Sequence, residues 1–356
     1  MAPTKQLIEI IRLGLFEGPT PSATLSQEQW QSLYEEARAQ GVVALLYQSV
    51  LSLPAEQRPP RPLLFHLASV ASDIEKNMQQ HHRVMMQFAE EVYRELGLPT
   101  VVVKGWSLAR YYSKPYYRES GDNDVYFGDA SRKVDALMWQ RGIDVDDSDE
   151  RHSAFLYEGV PFENHSYLMY PQVDKTDGFV DPKWETQELE GQVRTLVPEQ
   201  LALFVAAHAD HHAIYHNESL RLRDMVDWAL LISRSGLDYR LFNQIKQPYD
   251  VGRFADLLTQ YAVEVLGINP PEGWTPLSKE CMTAFPNIYF VAQPRSRLAL
   301  SRVVRRSRKY IRYAGVYKEI YGETMFRRFY YKNVAHAVRQ WIKQEPRHQG
   351  RQRNDD

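Results

Sequence analysis

Two aspartates, Asp122 and Asp124, stand two residues apart just before the apolar segment Val125–Phe127. In a strand, alternate side chains point to the same face about 6.6 Å apart, so both carboxylates would lie together. Neighbouring carboxylates repel each other unless a proton or a cation lies between them. Mg²⁺ takes oxygen ligands, and paired ions can stabilise both oxygens of a phosphoryl transfer. The spacing indicates either a magnesium site for phosphate chemistry or a solvated loop whose aspartates cap turns.

The order of motifs around this pair resembles that of the uncharacterised nucleotidyltransferase family, within the nucleotidyltransferase-fold superfamily. The segments that carry the resemblance span about residues 25–235 and are WQSLYEEARAQGVVALLY, VVVKGWSLARYY, RESGDNDVYF, ENH, LVPEQLALFVAAHADHH and LRLRDMVDWALLI. The resemblance implies transfer of a nucleoside monophosphate from a nucleoside triphosphate (NTP) to an acceptor, with release of pyrophosphate. It also implies Mg²⁺ (or Mn²⁺) as the cofactor, and it leaves the base and the acceptor open: a small molecule, an RNA or a protein.

Three carboxylates form the catalytic and metal-binding set that the resemblance implies: Asp122, Asp124 and Glu163. Glu163 stands two residues before His165. It would complete the metal site or act as general base on an acceptor hydroxyl. A glutamate at the edge of the core, paired with an arginine, is the alternative interpretation of Glu163.

The segment Lys104-Gly105-Trp106-Ser107 lies where the superfamily has its phosphate loop. It departs from the usual Gly-Ser or Gly-Gly and matches the Lys-Gly of this family. Gly105 would let backbone amides approach a phosphate. Lys104 would neutralise the triphosphate, although an exposed lysine at a strand end is the simpler interpretation. Ser107 would cap the following helix or contact phosphate, and Arg118 would bind the γ-phosphate or brace the carboxylates.

The histidine-rich segment HADHH places His208 and His212 on one helical face, and Asp224 and Asp227 follow on the next helix. A metal-dependent His/Asp phosphohydrolase is therefore an alternative function. No glutamate follows His208 as in the HEXXH pattern, so helix packing through His–Asp hydrogen bonds is favoured. The candidates for contacts on the acceptor side are His165, His208, His212 and Asp227. A second alternative is a catalytically inactive protein of the same fold that binds nucleotide or RNA.

The elements that must hold these residues follow from hydrophobic periodicity and from the positions of glycine and proline. Helices are predicted after Ser26, over 42–51, and over 63–97 with one possible break. Strands are predicted within 99–105 and 121–128, and as a pair around a turn at 158–159. Short helices are predicted within 106–113 and 130–142, and further helices from 197 to Gly267. The proline-rich segment 268–294 is predicted to be irregular.

This pattern predicts an α+β fold, in which a small mixed β-sheet core is flanked by N-terminal and C-terminal helical segments. The predicted units are a helical region over 1–97, the nucleotidyltransferase core over 98–190, a helical domain over 191–294 and a basic helical tail over 295–356. The end of the tail is expected to be disordered.

Composition favours a globular protein. Of the 356 residues, 44% are hydrophobic and 25% are charged, which is ordinary for such proteins. The single cysteine, Cys281, excludes an internal disulfide framework and a cysteine-based zinc cluster. The N-terminus lacks a signal-peptide profile, and no apolar run approaches the ~18 residues of a membrane span. A cytoplasmic protein without a membrane span is expected.

Charge is spread unevenly along the chain. From Arg295 to the C-terminus there are 17 lysines and arginines against 5 acidic residues, whereas the rest of the chain has 26 against 40. Basic and aromatic residues alternate in this tail, which would suit single-stranded nucleic acid. A basic helical face lying on the acidic body, or on a membrane surface, would need no nucleic acid.

Overall fold

A computed structural model describes residues 2–22, 24–149, 151–169, 183–213, 219–247, 249, 251, 253–290, 309–323 and 326. Its α-helices are α1 (Lys5–Phe16), α2 (Gln27–Gln40), α3 (Val43–Val50), α4 (Arg61–Leu96), α5 (Trp106–Ala109), α6 (Ser131–Gln140), α7 (Pro198–His211), α8 (Leu222–Arg234), α9 (Tyr239–Lys246), α10 (Phe254–Tyr261) and α11 (Lys279–Tyr289). Its strands are β1 (Thr100–Val102), β2 (Asn123–Tyr126), β3 (Val145–Asp146), β4 (His152–Tyr157), β5 (Val160–His165), β6 (Thr186–Glu190) and β7 (Val193–Leu196).

The strands form one mixed sheet in the order β3-β4-β5-β2-β1-β7-β6. The pairs β1–β7 and β2–β5 are parallel, and the other neighbours are antiparallel. Helices precede and follow this sheet in the chain. The predicted α+β fold with flanking helical segments is therefore confirmed.

Helix ends follow the capping residues that the sequence shows. Ser26 accepts the backbone N–H of Gln29, whose side chain accepts the N–H of Ser26 in return, so a capping box begins α2. The long helix α4 ends at Gly97, which adopts the left-handed conformation with φ 68°. The helix runs without a break over its 36 residues, so the possible interruption is absent.

The hairpin between β4 and β5 also follows the sequence. Glu158 and Gly159 have φ values of 48° and 76°, and two consecutive positive φ angles are typical of the tight turn that joins antiparallel strands. The turn sets the register that places Phe162 towards the core and Glu163 on the opposite face of the sheet.

The outer strands were not predicted. β6 and β7 have the sequences TQELE and VRTL, which are short and polar and lack the apolar pattern of a buried strand. β7 nevertheless pairs with β1, with Val102 beside Thr195. The sheet therefore continues beyond residue 190, the predicted end of the core.

Two hydrophobic clusters cover the two faces of the sheet. One joins α4 and α6 to the face that carries Val102, Val125 and Phe162. The other is larger and brings α1–α3 together with α7, α8, α10 and α11. The helices before and after the sheet therefore share one core, although the sequence placed them in separate units.

The prediction of an irregular segment over 268–294 is wrong for residues 279–289, which form α11. Ser278 caps this helix by accepting the N–H of Cys281, and Pro286 lies inside it. Burial of Phe285 and Ile288 in the larger cluster outweighs the cost of the internal proline. Residues 345–356, where disorder was predicted, lie outside the described residues, and among those that are described no helix is long and apolar enough to cross a membrane.

Candidate functional site

The site forms where β2 and β5 run side by side. In the register of these parallel strands Asp124 lies beside Glu163, and His165 follows two residues later on the same face. The Nε2 atom of His165 lies 3.2 Å from Oδ1 of Asp124 and 3.7 Å from Oε2 of Glu163. Ligand atoms of the three side chains all lie within 4.8 Å of one another. We call Asp124, Glu163 and His165 the carboxylate–histidine group.

Lys104 joins this group to helix α7. The backbone N–H of Val103 donates to the carbonyl of Asp124, which holds the end of β1 against β2. The Nζ atom of Lys104 lies 3.4 Å from Oδ2 of Asp124 and 3.2 Å from Nε2 of His208. His208 in turn stacks on His212, with ring centroids 4.3 Å apart.

The electrostatics of the group centre on Asp124, which is only 1% exposed. Burial alone would raise its pKa, but the Lys104 ammonium and the hydrogen bond from His165 hold the pKa well below its usual value. Burial and the charge of Asp124 raise the pKa of Asp122, and burial with the charges of Asp124 and Asp122 raises that of Glu163. The charge of Asp124 thus raises the pKa of both neighbouring carboxyl groups, which is the repulsion that a cation relieves.

His208 is neutral at ordinary pH, because burial and the nearby charges of Lys104 and His212 lower its pKa well below the usual value. A neutral imidazole can accept a hydrogen bond from the Lys104 ammonium. The contact is therefore attractive, and it fixes the lysine over Asp124.

The carboxylate–histidine group fits a divalent cation. The Oδ2 atom of Asp124 is buried and makes no hydrogen bond within the described part of the chain, so its only compensation there is the Lys104 ion pair at 3.4 Å. Among the residues that the structure describes, this is the set of His, Cys, Asp and Glu side chains close enough to share an ion. Carboxylate oxygens and an imidazole nitrogen are ordinary ligands of divalent metals.

The predicted metal set of Asp122, Asp124 and Glu163 is brought together only in part. β2 begins at Asn123, so Asp122 precedes the strand. Asp122 is half-buried, and burial and the charge of Asp124 raise its pKa. It is not part of the group that could share an ion. His165, which the sequence suggested for the acceptor side, stands in that group instead.

The Lys104–Ser107 segment turns sharply at Gly105, with φ 55° and ψ −113°. The nearest atom to a Cβ built at Gly105 would be the carbonyl oxygen of Asp122 at 3.8 Å, so backbone conformation rather than lack of space requires glycine. Gly105, not Ser107, is the N-cap of α5. The buried Ser107 hydroxyl donates to the Lys104 carbonyl at 3.1 Å, so it braces the turn.

Arg118 forms a buried pair with Asp227 of α8, and its charge also opposes the raising of the pKa of Asp122 by burial. Two hydrogen bonds of 2.8 Å join the guanidinium to the two carboxylate oxygens, and the Tyr112 hydroxyl donates to the same carboxylate at 2.6 Å. Burial would lower the pKa of Arg118, but the Asp227 charge outweighs it and the pKa is raised. The carboxylate that Arg118 braces is thus that of Asp227 rather than those of Asp122 and Asp124, and binding of the γ-phosphate stays a prediction.

The aspartates of the alternative phosphohydrolase site are engaged elsewhere. Asp227 binds Arg118, and Asp224 accepts the backbone N–H of Arg221 at the start of α8. Neither forms a metal-sized group with His208 and His212 in the described part of the chain. The structure therefore gives no support to that alternative.

Sequence reasoning missed two histidines near the site. His152 of β4 pairs across the strand with His165, and their ring centroids are 5.4 Å apart. Burial lowers the pKa of His81 in α4, and the charge of Asp122 opposes this shift. The sequence signals were the histidine at the start of a predicted strand and the HH pair inside a predicted helix. Both are common, and only the folded arrangement connects them to Asp122 and Asp124.

Comparison with protein families gives one finding. A family model described as "Uncharacterised nucleotidyltransferase" matches residues 26–267. The chain belongs to this uncharacterised nucleotidyltransferase family. The match runs from the start of α2 to the end of the helical turn after α10 and includes the whole carboxylate–histidine group. It confirms the resemblance seen in the sequence, and it supports nucleotidyl transfer as the general reaction class of this protein. Comparisons with curated proteins and with solved structures gave no match.

Proposed function

We propose that this nucleotidyltransferase-family protein transfers a nucleoside monophosphate from an NTP to an acceptor hydroxyl, with a divalent cation bound, and releases pyrophosphate. The observation that carries the proposal is the buried, ionised Asp124, which faces Glu163 and His165 across two strands. Family membership supports the reaction class. The acceptor remains a small molecule, an RNA or a protein.

The ion would be held by the carboxylate–histidine group, with Asp122 close by. When bound, it would supply positive charge that draws the triphosphate to the carboxylates and offsets the charge that develops on the phosphates. Lys104 would release Asp124 as the ion takes its place, and the freed ammonium would pair with the triphosphate. Gly105 would let the backbone of the turn come close to the phosphates.

Proton transfer falls to Glu163. Its raised pKa and its 34% exposed side chain suit a group that takes up the proton of an acceptor hydroxyl, through the carboxylate oxygen that does not hold the ion. The acceptor oxygen would then form a bond to the α-phosphorus. The bond from that phosphorus to the bridging oxygen would break, and pyrophosphate would leave with the electron pair. The other carboxylate of the group, Asp124, suits the opposite role, because its lowered pKa keeps it ionised.

Calorimetric titration of the four common NTPs, each with Mg²⁺, with Mn²⁺ and with chelator, tests the proposal. We expect at least one NTP to bind only with an ion present, and Asp124→Asn to weaken that binding by about tenfold or more because it removes a charged ligand. Asp129→Asn is the matched control, since Asp129 is the same residue type, five positions further on and exposed. Wild-type protein that is folded and binds no NTP under any of these conditions would overturn the proposal.

A protein of the same fold that binds nucleotide without chemistry is the second candidate. The observation that favours it is the Lys104 ammonium, which already neutralises Asp124 at 3.4 Å and could take the place of an ion. Nucleotide binding that needs no divalent cation, and that Asp124→Asn leaves unchanged, would support this candidate against the first.

A further inference from the structure

His165 is held in one orientation at the end of β5. Its ring is buried and lies between the ring of His152 at 5.4 Å and that of Phe204 at 6.4 Å. The Nε2 atom lies 3.2 Å from Oδ1 of Asp124 and 3.7 Å from Oε2 of Glu163. In the tautomer that carries its proton on Nδ1, this nitrogen therefore offers a lone pair close to an oxygen of each of two carboxylates.

The second observation is the buried Oδ2 atom of Asp124, which makes no hydrogen bond within the described residues. A carboxylate that is 1% exposed and retains an unsatisfied oxygen has a coordination position to offer. The ammonium of Lys104 lies on that side at 3.4 Å, longer than a good charged hydrogen bond. A metal ion bound to this oxygen would approach it more closely than the lysine does.

The donor set determines which ions the site prefers. Mg²⁺ takes oxygen ligands and retains water rather than binding imidazole. Transition-metal dications such as Fe²⁺, Ni²⁺ and Zn²⁺ favour an imidazole nitrogen, whereas Mn²⁺ shares the oxygen preference of Mg²⁺ more closely. We propose that His165 is a direct ligand, and that the site therefore binds a transition-metal dication in preference to Mg²⁺, with Mn²⁺ as the paramagnetic probe. This inference rests on the proposed function and deepens it by naming the class of its ion.

Direct ligation differs from a purely bracing role for His165. As a brace, the imidazole would donate a hydrogen bond to Asp124 and an oxygen-only ion would bind beside it. As a ligand, Nε2 would carry no proton and would itself contact the ion. The first case leaves no nitrogen in the coordination sphere of the metal, and the second puts one there.

Electron spin-echo spectroscopy of Mn²⁺ bound to the full-length protein, without nucleotide, separates these cases. We expect a nitrogen coupling in the wild type that changes when histidine is labelled with ¹⁵N, and its loss in His165→Gln. His152→Gln is the matched control on the adjacent strand, because His152 is not one of the three side chains that could share an ion. We expect that variant to keep the coupling.

The ratio of Mg²⁺ to Mn²⁺ dissociation constants gives an independent readout. We expect the wild type to bind Mn²⁺ about tenfold or more tightly than Mg²⁺, and His165→Gln to lose most of this preference, since an imidazole ligand favours transition metals. General damage to the site would weaken the binding of Mg²⁺ and Mn²⁺ equally and leave the ratio of their dissociation constants unchanged. If His165→Gln does not fold, the wild-type coupling and its response to ¹⁵N-histidine still decide the question.

Bound Mn²⁺ without a nitrogen coupling in the wild type would overturn the inference, and so would a coupling that survives in His165→Gln or disappears only in His152→Gln. Wild-type protein that binds no Mn²⁺ would overturn it too. NTP titrations distinguish these failures from failure of the proposed function. If an NTP still binds with Mg²⁺ and depends on Asp124, the proposed function stands and only the imidazole ligand is wrong.

Discussion

The pair of Arg118 and Asp227 gives a prediction with a defined magnitude. Both side chains are nearly inaccessible, 3% and 4% exposed, and two hydrogen bonds of 2.8 Å join them. Arg118→Met would leave the Asp227 carboxylate without its counter-charge, and Asp227→Asn would do the same to the guanidinium. Removing one partner of a buried pair costs about 3–5 kcal/mol. Asp227→Asn would also weaken the hydrogen bond from Tyr112, at a further cost of about 1 kcal/mol.

The two single variants and the double variant form a cycle, measured by urea denaturation followed by circular dichroism. We expect each single variant to lose about 3 kcal/mol or more, and the coupling energy to be about 2–3 kcal/mol, because the double variant leaves no unpaired buried charge. The exposed pair Arg38–Glu35, at 3.0 Å, is the control, and its cycle should give less than about 1 kcal/mol.

The same Arg118→Met protein separates bracing from phosphate binding. If the guanidinium is a brace, triphosphate affinity in the folded fraction should change little while stability falls. A loss of less than about 1 kcal/mol in either single variant, far below the cost of a broken buried pair, would refute the reasoning. So would a large loss of triphosphate affinity with stability unchanged, since it would assign Arg118 to the γ-phosphate.

Three further outcomes are expected. Lys104→Met should tighten Mn²⁺ binding in the absence of nucleotide by about tenfold, because a dication and an ammonium roughly 5 Å apart repel by about 1.7 kcal/mol even in water. The same change should weaken triphosphate binding. Calorimetry that shows the affinities for Mn²⁺ and for triphosphate both falling would contradict the proposed movement of Lys104 from Asp124 to the triphosphate. Ser107→Ala should lower the free energy of unfolding by about 1 kcal/mol, measured by denaturation, because the Ser107 hydroxyl braces the turn. A loss of triphosphate affinity without a loss of stability would instead indicate that Ser107 contacts phosphate. Cys281 is fully buried, and burial raises the pKa of its thiol to about 11. At pH 8 a thiol reagent should therefore modify Cys281 only when the protein unfolds. Rapid modification of the native protein would show that α11 opens.

Local signals in the sequence predicted the parts of the fold that local chemistry decides. Ser26 with Gln29, Gly97 and the Glu158-Gly159 turn each mark an end or a reversal by their own backbone and side-chain preferences. The apolar segment after Asp124 predicted β2 for the same reason. These features placed the central strands, and with them Asp124 and Glu163, on the sheet, whereas Asp122 precedes β2.

Features that depend on partners distant in the chain escaped prediction. The pair Arg118–Asp227 joins residues 109 positions apart, and no local pattern marks them as partners. His165 joins Asp124 through strand pairing, which sets its role more than its sequence neighbours do. Likewise β7 is a strand through its pairing with β1, and β6 through its pairing with β7, and neither short sequence has the apolar pattern of a buried strand.

Crystallography with Mn²⁺ and a non-hydrolysable form of the NTP that binds would test the central claim most directly, by anomalous diffraction at the manganese edge. We expect a manganese peak in contact with Asp124 and Glu163, with triphosphate oxygens bound to the same ion. We also expect Lys104 to have moved from Asp124 to the phosphates. A triphosphate bound away from these strands, beside His212 for example, or a Lys104 that still pairs with Asp124 while nucleotide and manganese lie elsewhere, would contradict the claim.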